Sequence, residues 1–388
     1  MIKQTCRFLL LSVAVVFCLS CARNGDPQAK YGTDKSLARE NSIHYVESGQ
    51  GLPVILIPGL FGINSTFNRV TPLLKDHYRL LAIDNFGTGQ SGRPERGFDY
   101  SVTEQADRVV AMMDKLEITR CAIVGVSYGG MIALNIAARY PERVVSIVAI
   151  EGAVIMPKNT PYHRLIQGLK YPLLGDAIIG FIRSGLFDET MAKDIMGPSW
   201  DDLNSAGQEE ITGIVAKNAA AASRHTWLGL ARALNNAEDF TEEAKSITAP
   251  VLYLSGDQSE FREMTAMNIV FFKRHLPNVV MISFADGVHD LELQKPEETA
   301  ALIRDFIGQN DSSSSLVRVL EPETEVKGLV APTRRFTFPL SARGIPSTRL
   351  LKFPVADSTR TLTVAALYPL VSAKDESNVE KSPGVWSW

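Results

Sequence analysis

Residues 125–130 read Gly125-Val126-Ser127-Tyr128-Gly129-Gly130, between the apolar run Cys121-Ala122-Ile123-Val124 and the helix-like stretch Met131-Ile132-Ala133-Leu134-Asn135-Ile136-Ala137. A serine held at a sharp strand-to-helix turn is a nucleophile elbow, and small residues must flank it because the backbone there is strained. The hydroxyl of Ser127 then stands at a helix N-terminus, where the Tyr128 N–H points at the oxyanion formed when the serine attacks a carbonyl. A second donor is expected from Ile57-Pro58-Gly59-Leu60-Phe61-Gly62, whose glycines let backbone amides come close, and the Leu60 amide is the candidate. An attacking serine needs a base. His289, in Asp286-Gly287-Val288-His289-Asp290, follows the last strand candidate of the sheet and precedes the last helix, where the chain returns over the sheet edge that carries Ser127. The other five histidines are placed less well for this work. His77 and His275 precede strands at the opposite edge, His44 lies inside the first strand, and His163 and His225 fall in an inserted region as surface residues. No histidine pair at helical spacing and no cysteine cluster suggests a metal, and acyl transfer by serine requires no cofactor.

These residues need a frame. Strands are predicted over Ser42–Glu47, Pro53–Ile57, Tyr78–Asp84, Cys121–Val126, Val144–Glu151, Val251–Ser255 and Asn278–Phe284, several as continuous apolar runs of the kind buried on both faces of a parallel sheet. Helical periodicity falls between them, at Thr103–Leu116, Gly129–Arg139, Met264–His275 and Pro296–Ile307, which implies an α/β sheet with right-handed crossovers. About a hundred residues separate the strand ending at Glu151 from the one starting at Val251, far more than an ordinary connection. They read as a helical cap over the site, residues 152–236, with helices at Tyr162–Leu169, Gly175–Arg183, Glu189–Asp194 and Glu209–Ala233. Tyr162, Phe181, Phe187, Trp200 and Trp227 are its candidates for lining an apolar acyl pocket. The core is then residues 41–151 and 237–309.

The ends differ in character. Residues 1–20 carry Lys3 and Arg7 ahead of an apolar stretch from Phe8 to Leu19, which suits an export signal and is short for a membrane span. Leu19-Ser20-Cys21 resembles the bacterial lipoprotein processing site, with Cys18 where leucine is usual. That resemblance implies lipidation at Cys21, an exported chain tethered through residues 21–40, and, with Ala22 after the cysteine, the outer membrane. Only Cys121 of the four cysteines lies in the folded region, so the fold is expected to stand without a disulfide, with Cys121 as a small hydrophobe. Residues 310–388 open on Asp311-Ser312-Ser313-Ser314-Ser315, hold seven of the 20 prolines, and read as a largely disordered tail with strand-like pieces at Arg335–Leu340 and Thr361–Leu367. With 40 Lys and Arg against 43 Asp and Glu, nothing in the charge favours nucleic acid.

The elbow serine, the late histidine, the glycine loop and the segment Asp84-Asn85-Phe86-Gly87-Thr88-Gly89-Gln90-Ser91-Gly92, similar to an Asp-x-x-Gly-x-Gly-x-Ser turn, together resemble the α/β-hydrolase superfamily over roughly residues 41–308. One departure is Pro58, where relatives commonly carry histidine. The resemblance implies the fold, a Ser-His-acid triad and a small-molecule, ester-like substrate. It also bears on the acid. In most of the superfamily the carboxylate follows the strand matching Val251–Ser255 in a Gly-x-x-Asp turn, and Gly256-Asp257-Gln258-Ser259-Glu260 puts Ser259 at that position. A minority, including many haloalkane dehalogenases, carries it after the preceding strand, and Glu151, followed by Pro157, resembles that arrangement. Glu151 is thus the implied acid, with Asp257, or Glu260, as the alternative. The activity implied is carboxylic ester hydrolysis through an acyl-enzyme. Cleavage of a carbon–carbon bond, amide, lactone or thioester at the same site, or ligand binding without turnover, are the alternatives.

Overall fold

Alternation along the strands divides the interior in two. In Pro53–Ile57, Val54 and Leu56 pack on one side of the sheet and Ile55 and Ile57 on the other, and Cys121–Val126 splits in the same way, with Val124 and Val126 opposite Ile123. All the residues named are buried, so the strands read as unbroken apolar runs. The computed structural model describes residues 33–36, 42–94, 98–156, 168–169, 171–235, 240–311, 349–354 and 361–366. The stretch expected as an export signal, Cys21, His163, Tyr162 and the piece at 335–340 lie outside these.

Ten strands build the sheet: β1 Thr33–Ser36, β2 His44–Ser48, β3 Pro53–Ile57, β4 Arg79–Ile83, β5 Cys121–Val126, β6 Val144–Ile150, β7 Val251–Gly256, β8 Val279–Phe284, β9 Arg349–Pro354 and β10 Thr361–Ala366. Their order is β1-β2-β4-β3-β5-β6-β7-β8-β10-β9. From β4 to β8 all neighbours run parallel, and β2 joins that block antiparallel. The chain steps outward from β3 to β4 and returns to β5 on the other side of β3. The crevice above the carboxyl ends of β3 and β5 is therefore the topological switch point where open α/β sheets hold their ligands.

Helices cover both faces. α1 Val102–Lys115 and α2 Tyr128–Arg139 pack through Val109, Met113, Ile132 and Ile136, while Ile303 and Phe306 of the C-terminal helix Pro296–Asn310 fill the opposite face. Ser101 caps α1 by accepting from the Glu104 N–H at 3.1 Å. α2 begins directly on the sheet: a Cβ at Gly130 would lie 2.6 Å from the Cα of Gly152, so any side chain there would lift the helix away.

Between β6 and β7 stand α3 Pro172–Ile182, α4 Asp188–Met196, α5 Ser205–Ala221 and α6 Arg224–Asn235. The stretch Glu209–Ala233, expected to be one helix, is two. Ala222 turns extended, and Ser223 starts α6 by accepting from the Thr226 N–H at 3.3 Å on its side chain and from the Trp227 N–H at 2.9 Å on its backbone. Trp200, Met196, Ile211 and Ile214 form a small core of their own, against which Leu293 packs. The C-terminal helices are α7 Arg262–His275 and α8 Pro296–Asn310.

Both termini depart in part from the expectation of tether and disordered tail. Within the expected tether β1 pairs antiparallel with β2, and within the expected tail β9 and β10 form a hairpin whose β10 adds to β8. The physical reason is available acceptors and donors: β2 and β8 would otherwise end the sheet with unpaired backbone, and alternating segments such as Thr361-Leu362-Thr363-Val364 can complete it. Among the described residues no helix is long and apolar enough to cross a membrane.

Candidate active site

Two adjacent strands end on residues in unusual backbone conformations. Ser127, just after β5, has φ 52° and ψ −115°, and Glu151, just after β6, has φ 48°. Side chains rarely tolerate positive φ, and such strain persists only where the surroundings hold it. Here the ladder does so: the Ser127 N–H donates to Ile150 O at 2.7 Å, and the Glu151 N–H to Leu254 O at 2.8 Å. The turns aim both residues into the crevice at the top of the sheet. Ser127, Glu151 and His289 all line one cavity of about 270 Å³ between the sheet and the cap helices.

The loop after β8 brings His289 to Glu151. The Nδ1 of His289 lies 2.6 Å from Glu151 Oε2, and the carboxylate is fully buried. The second oxygen, Oε1, accepts from the Gly256 N–H at 2.9 Å. Ser259 donates its hydroxyl to Oε2 at 2.6 Å and accepts from the Phe261 N–H at 3.1 Å, and the Phe261 ring packs 4.4 Å from the imidazole. Of the three acids left open by the sequence, the structure brings Glu151 to His289. Asp257 sits elsewhere, its N–H donating to Phe284 O and its buried Oδ1 without a hydrogen-bond partner, and Glu260 lines the cavity without reaching the imidazole.

Burial works against a charge on His289, but the hydrogen bond and charge of Glu151 outweigh it and hold the imidazole's pKa above its ordinary value. Two further carboxyls stand nearby. Burial raises Asp290, against the pull of the His289 charge, and burial followed by the Asp290 charge raises Glu292 well above the carboxylate range. Glu292 is fully buried and neither of its oxygens has a partner, which is the situation of a carboxyl kept protonated. Nothing in the pattern Leu291-Glu292-Leu293 distinguishes it from a surface glutamate.

Leu60 and Tyr128 also line the cavity beside Ser127. The Tyr128 N–H opens α2 and has no acceptor within its own helix, while its hydroxyl donates to Tyr100 O at 2.8 Å and fixes the turn. The loop carrying Leu60 is held from below. Asn85 donates through Nδ2 to Pro58 O at 3.1 Å and Gly59 O at 2.9 Å, and the Thr88 hydroxyl donates to Gly62 O at 2.8 Å. Beneath them Asp84 accepts from the backbone and side chain of Asn64 and pairs with His44 at 2.9 Å, both buried, so His44 serves the frame. Asn85 was not singled out from the sequence, although its place beside Asp84 in the glycine-rich turn was the available signal.

Of the aromatic residues considered for the pocket wall, only Trp227 lines the cavity among the described ones. Phe181 and Phe187 stack on each other at 4.2 Å, and Trp200 belongs to the small cap core. His225 bonds to the Ser223 hydroxyl at 2.9 Å, and Cys121 is buried as a free thiol whose pKa burial pushes up to about 12. Among the described residues no group of three or more His, Cys, Asp or Glu side chains could hold a metal ion.

Comparison with known proteins agrees with this fold. A family model described as alpha/beta hydrolase fold matches residues 53–180. The cis-3-alkyl-4-alkyloxetan-2-one decarboxylase of Shewanella oneidensis is 31% identical over 142 residues, which is 36% of this chain and 45% of that protein, so the chain spans under half of this relative's length. An uncharacterized hydrolase of Bacillus subtilis, YugF, is 24% identical over 68% of this chain and 92% of its own length. Among solved structures, the enol-lactonase from Burkholderia xenovorans LB400 superposes with a TM-score of 0.59 at 18% identity, covering 71% of this chain and 100% of that one. The chain thus has the α/β-hydrolase fold, and the family model and sequence relatives alike support its membership of the α/β-hydrolase superfamily.

Proposed function

We propose that the protein is a serine hydrolase that cleaves carboxylic esters through an acyl-enzyme. The observation that carries this reading is the 2.6 Å pairing of His289 Nδ1 with the buried Glu151, in the same cavity as the strained Ser127. With Nδ1 engaged by Glu151, Nε2 is the ring nitrogen left to accept the Ser127 proton as Oγ attacks the ester carbonyl. The tetrahedral oxyanion faces the amides of Leu60 and Tyr128, and its collapse expels the alcohol with the proton from His289. Water then attacks the acyl-serine, losing its proton to the same nitrogen, and the second collapse frees the acid and restores Ser127. Glu151 stabilises the imidazolium in both halves. A fluorophosphonate probe is expected to label the native protein and to leave Ser127→Ala unlabelled; equal labelling of the two rules the assignment out.

A second reading keeps the site and changes the bond. The relatives named for an oxetan-2-one substrate and for enol-lactone hydrolysis direct attention to lactones, in which the expelled alcohol stays attached to the acyl chain. Assays of p-nitrophenyl esters beside a four-membered and a six-membered lactone separate the readings, since turnover confined to the lactones displaces the simple ester.

A further inference from the structure

The cap contributes an apolar wall to the cavity, through residues such as Met191, Ile195, Ile214 and Leu234. The end that holds His289 differs. Among the described residues of the lining, the carboxyls of Glu260 and Asp290 join the Glu151–His289 pair, and no lysine or arginine is there to offset them. Their neighbours fix where they stand. Glu260 lies between Ser259, whose hydroxyl donates to Glu151 at 2.6 Å, and Phe261, whose ring packs 4.4 Å from the imidazole, so its backbone is pinned to the pair on both sides. Asp290 follows His289 directly, and its carbonyl accepts from the N–H groups of Leu293 at 3.0 Å and Gln294 at 2.9 Å. Both charges are felt at the site. Burial opposes a proton on His289 and Glu151 favours it, and behind Glu151 the charges of Asp290 and Glu260 favour it too. The charge of Glu260 likewise adds to the effect of burial on the Asp290 carboxyl. Charge of one sign in a cleft with low-dielectric walls acts over several ångströms and needs no contact with a ligand.

We propose that Glu260 and Asp290 select substrates by charge: the site takes neutral and cationic esters and turns away acyl groups that carry a carboxylate. This deepens the serine-hydrolase reading and rests on it. A carboxylate on the acyl chain brings a like charge toward the two in the wall, whereas an ammonium group is drawn to them and a neutral chain is indifferent. The same charges favour departure of the product, since the acid freed from Ser127 is itself an anion. Glu260 is exposed, so salt screens its part, which gives selection by charge a signature that selection by shape lacks.

The test uses two pairs of p-nitrophenyl esters on the full chain, each pair matched in shape and differing in charge. One is 4-(trimethylammonio)butanoate with 5,5-dimethylhexanoate, and the other is the monoester of adipic acid with the ester of adipamic acid. The cation-to-neutral ratio of kcat/KM is expected to exceed the anion-to-neutral ratio by about tenfold or more at low salt. The difference is expected to shrink as ionic strength rises from about 0.01 M to about 1 M, where the Debye length falls from about 30 Å to about 3 Å. Glu260→Gln and Asp290→Asn are each expected to reduce it, and Glu260→Lys to reduce it further or reverse it. Each ratio is taken within one variant, so a change in the base common to all four esters cancels. Circular dichroism and probe labelling of Ser127 confirm that each variant is folded with its serine intact. Equal ratios, an anion preference in the native chain, or a difference unchanged by salt or unchanged in all three variants overturns the selection by charge while leaving the serine-hydrolase reading standing. A native chain that neither takes the probe nor hydrolyses any ester overturns both. If Ser127 labels but neither charged ester is turned over, protection from the probe decides: stronger protection by hexyltrimethylammonium than by hexanoate supports the proposal, and equal or weaker protection overturns it.

Discussion

Glu151 receives three hydrogen bonds, from His289 Nδ1, the Ser259 hydroxyl and the Gly256 N–H, and two of them fall on the same oxygen. Glu151→Gln keeps the shape but removes the charge that stabilises an imidazolium. Turnover is expected to fall by several orders of magnitude, on the order of 10⁴ by analogy with an acid-to-amide change in other triads, whereas Asp257→Asn stays near the native rate. Kinetics of the two variants, with circular dichroism, check this, and the reverse ranking would return the acid to the loop after β7. The shared oxygen also sets the pH dependence. In the proposed mechanism the working base is neutral His289, and Glu151 holds its proton more tightly than a free imidazole would. kcat/KM therefore rises with pH, with a midpoint above the ordinary histidine value of about 6.5. Ser259 draws charge from Oε2, so Ser259→Ala leaves Glu151 a stronger partner for the proton. The midpoint is expected to move further up, by as much as about one pH unit, since such a bond is worth about 1 kcal/mol and one unit corresponds to about 1.4 kcal/mol. A downward move, or a loss of rate independent of pH, refutes this role for the hydroxyl.

The elements divide the work by stiffness. β5 and β6 end side by side and deliver Ser127 and Glu151 from the most buried part of the sheet, while the loops after β3 and β8 contribute the groups that must be held in place by contacts. The loop after β3 depends on Asn85, whose amide grips the carbonyls on either side of the Pro58–Gly59 junction. Asn85→Ala removes both bonds and frees the Leu60 amide from its alignment. The expected result is a loss of about 1–2 kcal/mol in urea unfolding and a fall in kcat of roughly tenfold or more, bounded by the 10²–10³ seen when an oxyanion donor is deleted outright. KM should change little, because the developing charge exists only in the transition state. An unchanged kcat would mean that the loop keeps its geometry without Asn85.

At the scale of the whole molecule, the cavity exists because an insertion is folded over a switch point. The sheet supplies one wall, and α3 to α6 supply the other. Phe61, from the loop after β3, stacks on Trp227 of α6 at 3.7 Å and ties cap to core directly beside Leu60. An apolar cavity of about 270 Å³ holds an alkyl chain of limited length. Across linear p-nitrophenyl esters, kcat/KM is expected to rise by up to about fourfold per added methylene, the equivalent of roughly 0.8 kcal/mol of burial, and to fall once the cavity is full. A flat or steadily falling series from acetate to octanoate contradicts an acyl-binding role for this cavity.

How much of this was legible in the chain follows from the range of the forces involved. β3 and β5 were readable to the residue, because a buried parallel strand is a local run of apolar residues with turn signals at both ends. The Ser127 turn was readable for the same reason: its strain demands glycines within two positions. Local pattern also misled where a single side chain intervened, as at Ser223, which divides a continuous helical periodicity into α5 and α6. The acid lay beyond local reading. Glu151 and Asp257 both end strands with a carboxylate, and only the register of β6 against β7, with the return of the β8 loop, decides which meets His289. The same holds for Ser259, Asn85 and Glu292, ordinary polar residues whose importance comes from partners, or missing partners, up to 138 positions away for the histidine–glutamate pair and 108 for Ser259. The sequence by itself determined the architecture and singled out the candidate serine and histidine, since these are written in periodicities and short motifs. Only the tertiary structure decided which carboxylate meets His289 and what supports the Leu60 loop, because hydrogen bonding and desolvation depend on which distant residues the fold brings together.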